Sequence, residues 1–195
     1  MIDCTVYELR QYTLHPGRRD ELIELFDREF VETQEDAGMR IVGQFRDLDR
    51  PDRFVWVRGF RDMESRAAAL AAFYGGPVWK AHSSAANATM IDSDDVLLLR
   101  PAYPGAGFPA PGGNEAGRYT AAVHRNQLGL ADLCRRRIGP LACLETEPAE
   151  NTFPALPVRT GEDVLVWFAA GDTAGDLPGP VQTLRLAPTA GSRLR

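Results

Sequence analysis

Glu8, Arg10 and Tyr12 alternate within VYELRQYTLHPG, so a strand over Thr5 to Tyr12 turns all three to one face with Val6, and turns Tyr7, Leu9 and Gln11 to the other. A carboxylate, a guanidinium and a phenol on one sheet face could hold a polar ligand or move a proton. They could equally serve the fold as an ion pair, with Arg58 on a later strand as cross-strand partner, because an unpaired buried charge is costly. Either face of this strand could meet the helices.

His82 is the leading acid–base candidate, since a histidine one turn after Trp79 on a helix could face the sheet and meet Arg10 and Glu8 there. An exposed helix histidine is the competing reading. His124 lies on a later strand, and His15 precedes the Pro16-Gly17 turn. An aromatic pocket lining could come from Tyr7, Tyr12, Trp56, Tyr74, Trp79 and Trp167, with Arg58 and His124 as polar contacts. The same aromatics also suit a plain core. Glu145 and Glu147 share a strand face near Asn151, as paired carboxylates or as a solvated edge.

The elements that must position these residues follow from periodicity. After the first strand, Pro16-Gly17 breaks the chain, and Leu22, Leu25, Phe26 and Phe30 recur at helical spacing up to a stop at Gly38. RIVGQF and RFVWVRGF flank a polar turn and predict a hairpin. Asp62 can cap an alanine-rich helix that ends at Gly75-Gly76, and Pro77 restarts it. DVLLLRP, from Asp95, is a buried strand, and Asp92, Asp94 and Asp95 fall at the turn before it. The order β-α-β-β-α-β predicts a ferredoxin-like unit over residues 1–102.

Residues 103–117, rich in Pro and Gly, predict a linker. Over 118–190 the pattern returns in diverged form: RYTAAVHR, a short helix, LACLETE, DVLVWFAAGD as an echo of RFVWVRGFRD, and TLRLAP as an echo of LLLRP. The span before the last strand is too short for the second helix, so part of this sheet should lie uncovered, to be buried by a loop, a subunit or a ligand.

Composition excludes several functions. In 195 residues, 44% hydrophobic and 25% charged, a net charge of −5 and no dense basic run argue against nucleic acid. No apolar stretch reaches membrane-spanning length, and no signal-peptide pattern opens the chain, so a cytoplasmic protein that needs no membrane is expected. Cys4, Cys134 and Cys143 match no metal or redox spacing, the aspartates match no calcium loop, and no phosphate-binding loop occurs. No metal and no cofactor are expected. Without a Gly-x-Ser-x-Gly turn, a hydrolase triad is not indicated.

YELRQYTLHPG with its amphipathic helix, FVWVRGFRDM, GGPVWKAH and LLLRP together resemble the NIPSNAP family, and ETEPAENTFPALPVR with VLVWF resembles the second half of its longer bacterial members. The resemblance implies an α+β fold: a ferredoxin-like, dimeric α+β barrel, here of two tandem ferredoxin-like units, the second degenerate. It also implies a homodimer or an intrachain barrel. Related barrels suggest a small-molecule metabolite as partner, and a cofactor-independent monooxygenase, isomerase or cyclase acting on an aromatic or polyketide-like compound. A non-catalytic binding or assembly protein is the alternative.

Overall fold

The N-terminal alternation becomes β1 (Val6–Leu14), flanked by β3 (Arg53–Phe60) and β4 (Met90–Pro101), both antiparallel to it. β2 (Arg40–Asp47) pairs with β3 as the predicted hairpin. Its turn is held by Asp47, whose carboxylate accepts from the backbone N–H groups of Asp49 and Arg50. A computed structural model describes residues 3–110, 116–173, 177 and 179–194. The second half adds β5 (Tyr119–Arg125), β6 (Ala142–Thr146), β7 (Val164–Ala170) and β8 (Gln182–Pro188).

All eight strands close into one antiparallel barrel in the order β1-β3-β2-β8-β5-β7-β6-β4. Its seams are β2 on β8, with Phe45 opposite Pro188, and β4 on β6, with Leu99 opposite Thr146. Cut at the seams, one half runs β4-β1-β3-β2 and the other β8-β5-β7-β6, the same order of elements in each. Closure within a single chain leaves no sheet edge to protect.

The lumen is a packed core. Tyr7, Leu9 and Val57 meet Tyr119, Val166 and Phe168 there, as expected of a barrel just wide enough for side chains to fill. At the bulge between Ile41 and Gly43 a side chain is barred, because a Cβ on Gly43 would stand 2.6 Å from the Phe45 ring. The predicted linker also enters the core. Phe108 is buried with its ring 5.6 Å from Tyr7 and 4.9 Å from Phe168. Pro and Gly deny this stretch a helix or a ladder, but not a docked aromatic side chain. Residues 111–115 of that stretch lie outside the described residues.

The outer face of the first half carries the helices: α1 (Arg19–Leu25), a π-helical turn at Phe26–Phe30, α2 (Val31–Asp36), α3 (Met63–Gly75) and α4 (Pro77–Asn87). Asp62 caps α3 as predicted, accepting from Ser65 N–H at 2.7 Å, and Pro77 opens α4. Phe26, Phe30, Leu70 and Phe73 pack with Trp56 and Phe54 on the sheet. Among the described residues no helix is long and apolar enough to cross a membrane.

One expectation needs correction. β4 begins at Met90 rather than Asp95, so Asp92 and Asp94 lie within a strand; its ladder with β1 shifts register there, and Asp92 accepts from Asp94 N–H. In the second half the described residues between β7 and β8 form no helix, and a loop and α5 share the cover of the sheet. On β8 the outward residues Thr183 and Arg185 are exposed while Leu184 and Leu186 point into the core. Around Trp167 the outer face is covered by α5 (Leu130–Arg137) through Leu130 and Cys134, and by Ala106 of the β4–β5 connection.

Candidate functional site

Strand pairing decides which charges meet. On β1 the outward set is Val6, Glu8, Arg10 and Tyr12, and it faces the helices. Register sets Glu8 opposite Arg58 and Arg10 opposite Trp56 on β3. Above them α3 turns Arg66 down to the sheet. Glu8, Arg10, Arg58 and Arg66 are each no more than 1% exposed.

One carboxylate therefore meets three guanidinium groups. Glu8 Oε2 accepts from Arg10 Nη1 at 2.7 Å and from Arg58 Nε at 2.8 Å, and Oε1 accepts from Arg66 Nε at 2.7 Å. Burial alone would raise the Glu8 pKa, but Arg58, Arg10 and Arg66 together outweigh it and hold the carboxyl well below the usual range. Burial lowers the Arg66 pKa, with repulsion from Arg58 and Arg10 adding to the effect, although a guanidinium remains charged at neutral pH. Arg10 is shifted the other way: burial works against its charge, and Tyr12 and Glu8 raise it. Burial also raises the Tyr12 pKa, keeping a phenol there. The result is an excess of two positive charges in a dry interior.

Polar and aromatic groups share that excess. Arg10 Nε donates to Tyr12 Oη at 3.1 Å, and Arg58 Nη1 donates to Gln34 of α2 at 2.9 Å, with Tyr74 Oη at 3.5 Å. Trp56 lies beneath two cations, its ring centre 5.5 Å from Arg10 and 5.0 Å from Arg58. Arg66 Nη1 donates to Asn151 Oδ1 at 2.9 Å and to Thr152 Oγ1 at 3.1 Å, both on the β6–β7 connection. Among the described residues the buried Nη2 of Arg66 has no hydrogen-bond partner, and that of Arg58, though 2.8 Å from Glu8 Oε2, is not aligned for one.

The β6–β7 connection crosses from the second half onto this cluster. Phe153 stacks on Tyr74 with ring centres 6.0 Å apart, and Tyr74 meets Trp79 edge-on at 4.8 Å. Beneath the connection opens a cavity of about 590 Å³, lined among others by Leu98, Asn151, Val158 and Arg159. Leu98 is the β4 neighbour of Glu8, and Asn151 touches Arg66, so the cavity abuts the Arg66 end of the cluster.

The structure thus gathers Glu8, Arg10, Tyr12, Trp56, Arg58 and Tyr74, with Trp79 at the rim. Other sequence candidates fall elsewhere. His82 pairs with Glu29 at 3.5 Å, its side chain 34% exposed, because its position on α4 turns it along the helix surface toward the π-helical turn instead of down to the sheet. Tyr7 points into the barrel, where burial pushes its phenol up to about 12 and its hydroxyl lies so near Gly107 that a Cβ there would stand 2.6 Å away. His124 and Trp167 form their own buried contact in the second half, Trp167 Nε1 donating to His124 Nε2 at 3.0 Å. Glu145 is tied to Arg100 across the β4–β6 seam at 2.8 Å, and Glu147 accepts from Ala149 N–H.

Sequence reasoning missed Arg66, Gln34 and Thr152, and set Asn151 beside Glu145 and Glu147 instead of Arg66. Arg66 had a signal: with Ala69, Leu70 and Phe73 it occupies the i, i+3, i+4, i+7 positions of the buried stripe of α3, where a lone arginine requires a partner. Asn151 and Thr152 had none, since only the folded path of a long connection brings them over α3.

An eight-stranded α+β barrel with a buried ionic cluster between sheet and helices is the class that fold and site define. Residues 7–104 match the NIPSNAP family, and the chain belongs to it. A barrel of similar extent occurs in a monooxygenase candidate from Lactobacillus acidophilus, with 10% identity, a TM-score of 0.58, and 95% of this chain and 94% of that one covered. A NIPSNAP-like domain protein from Burkholderia xenovorans is 24% identical with a TM-score of 0.49, over 54% of this chain and 91% of that one. A NIPSNAP family protein of unknown function from Agrobacterium tumefaciens is 21% identical with a TM-score of 0.48, over 52% and 92%. No protein of curated function matches the chain.

Proposed function

We propose that this protein binds a small aromatic or polyketide-like metabolite in the cavity beneath the β6–β7 connection, beside the Arg66 end of the ionic cluster. The supporting observation is the buried excess of positive charge, framed by Trp56, Tyr74 and Trp79 and abutting a cavity of about 590 Å³. The lumen is packed with side chains and takes no part. Every residue of the site comes from one chain, so a homodimer would pair complete barrels. The repeated strand order supports descent from two tandem ferredoxin-like units.

Glu8 is a poor general base in this setting, because its carboxylate is occupied by three cations and resists protonation. Chemistry here would come from Arg66, oriented by Glu8 and reinforced by the positive charge of Arg58 and Arg10, stabilising negative charge that develops on a ligand oxygen. That suits a cofactor-independent monooxygenase, isomerase or cyclase, and the shared barrel of the monooxygenase candidate is consistent with it. Native mass spectrometry of protein from its source, with tryptophan fluorescence titrations of what co-purifies, tests the reading. A bound metabolite whose quenching of fluorescence is lost in Tyr74→Ala supports it. Protein free of ligand, with no response across a library of aromatic metabolites, overturns it.

A further inference from the structure

We propose that the Arg66 end of the cluster receives the carboxylate of the ligand, and that Asn151 and Thr152 occupy its place in the unliganded chain. This deepens the small-molecule reading above and rests on it. Arg66 spends Nε on Glu8, which leaves its outer edge, Nη1 and Nη2, as a planar two-pronged donor. Nη1 is engaged by one amide oxygen and one hydroxyl oxygen, and Nη2 is buried with no hydrogen-bond partner among the described residues. A carboxylate supplies two coplanar oxygens to such an edge.

Charge favours the exchange. Asn151 and Thr152 are neutral and leave the positive excess uncompensated, whereas a carboxylate would reduce it inside a medium where attraction is weakly screened. Five carboxylates line the cavity: Glu145 is paired with Arg100, Glu162 with Arg159, Glu147 accepts from Ala149 N–H, and Glu150 and Asp163 are exposed, so pairing and solvent attenuate their repulsion, but they weigh against a heavily charged ligand such as a polyphosphate. The exchange is local. Thr152 is exposed and Asn151 half-buried, held by bonds within the connection to Leu156 O and Phe153 N–H. The apolar body of the acid would lie along Leu98 and Val158 or part the Tyr74–Phe153 stack. The connection belongs to the second half, so one half of the barrel would gate the site of the other.

Calorimetric titration of the full chain with benzoate, benzyl alcohol and benzylamine tests this. Benzoate should bind at least about tenfold more tightly than its neutral and cationic analogues, a difference of one bidentate charged contact. Arg66→Gln should abolish that preference, and Asn151→Ala with Thr152→Ala should tighten benzoate while leaving benzyl alcohol unchanged. If Arg66→Gln does not fold, the connection variant carries the test alone. Benzyl alcohol binding as well as benzoate would overturn the carboxylate assignment and leave the small-molecule reading standing. No binding of any probe, to the native chain or to the connection variant, would overturn both.

Discussion

The two halves of the barrel order their strands alike and bury opposite chemistry on their outer faces. Trp56 and Trp167 give the register: Arg10 stands opposite Trp56, and Ala122 stands opposite Trp167. By the same count Thr120 and Ala169 take the places of Glu8 and Arg58, and His124 takes that of Tyr12. Each charge on the strands of the first half thus has a small or neutral counterpart, and Arg66 has none, because the described residues between β7 and β8 form no helix. Around Trp167 the outer face of the second half packs on aliphatic and aromatic contacts, with the Trp167–His124 hydrogen bond and the bond from Thr120 Oγ1 to Gly171 O as polar ties. Ionic residues are therefore not a requirement of this sheet, and the charged cluster is specific to one face.

The largest test of the comparison is Glu8→Gln, which leaves three buried guanidinium groups without their carboxylate and should cost about 3–5 kcal/mol in urea unfolding. Thr120→Ala, at the equivalent place, should stay near 1 kcal/mol or below. Equal losses would remove the distinction between the halves. The acid limb follows from the same group. Because the folded-state Glu8 pKa is depressed, its contribution is complete above the ordinary carboxylate pKa and is lost as pH falls below it. Native protein should lose stability more steeply than Glu8→Gln below about pH 4.5, taking the unperturbed carboxylate as reference.

A middle-sized effect is expected in the second half. His124→Leu removes the acceptor of Trp167 Nε1 and should cost about 1–3 kcal/mol, with no change in ligand binding beside Arg66. Phe153→Ala acts across the halves: about 1 kcal/mol of lost aromatic stacking on Tyr74, accompanied by faster proteolysis of the β6–β7 connection. His82→Ala should be smallest, about 0–1 kcal/mol for a half-exposed pair with Glu29, with ligand affinity unaltered. A collapse of binding in His82→Ala would return that histidine to the site.

Period and punctuation in the chain determined a great deal. Two-residue alternation in VYELRQY, the Asp62 cap, the Pro77 restart and the Val-Trp echo at Trp56 and Trp167 mark strands, helices and a repeated order before any coordinates exist. Local rules reach that far because backbone geometry depends on near neighbours. The contents of the site are a different matter. Alternation sets Glu8 and Arg10 on one face, but it cannot say that this face meets helices, nor that Tyr7 and Phe108 fill the lumen instead.

The same limit explains His82 and Asn151. A helical residue's target depends on the roll of the helix over the sheet, and α4 rolls His82 toward Glu29. Asn151 reaches Arg66 across a separation of 85 positions, through a connection with neither helical nor strand period. The sequence by itself determined which segments become strands and which charges share a face. Only the tertiary structure decided that one carboxylate would be buried among three arginines, because contacts between distant segments arise from closing the barrel and carry no local signature.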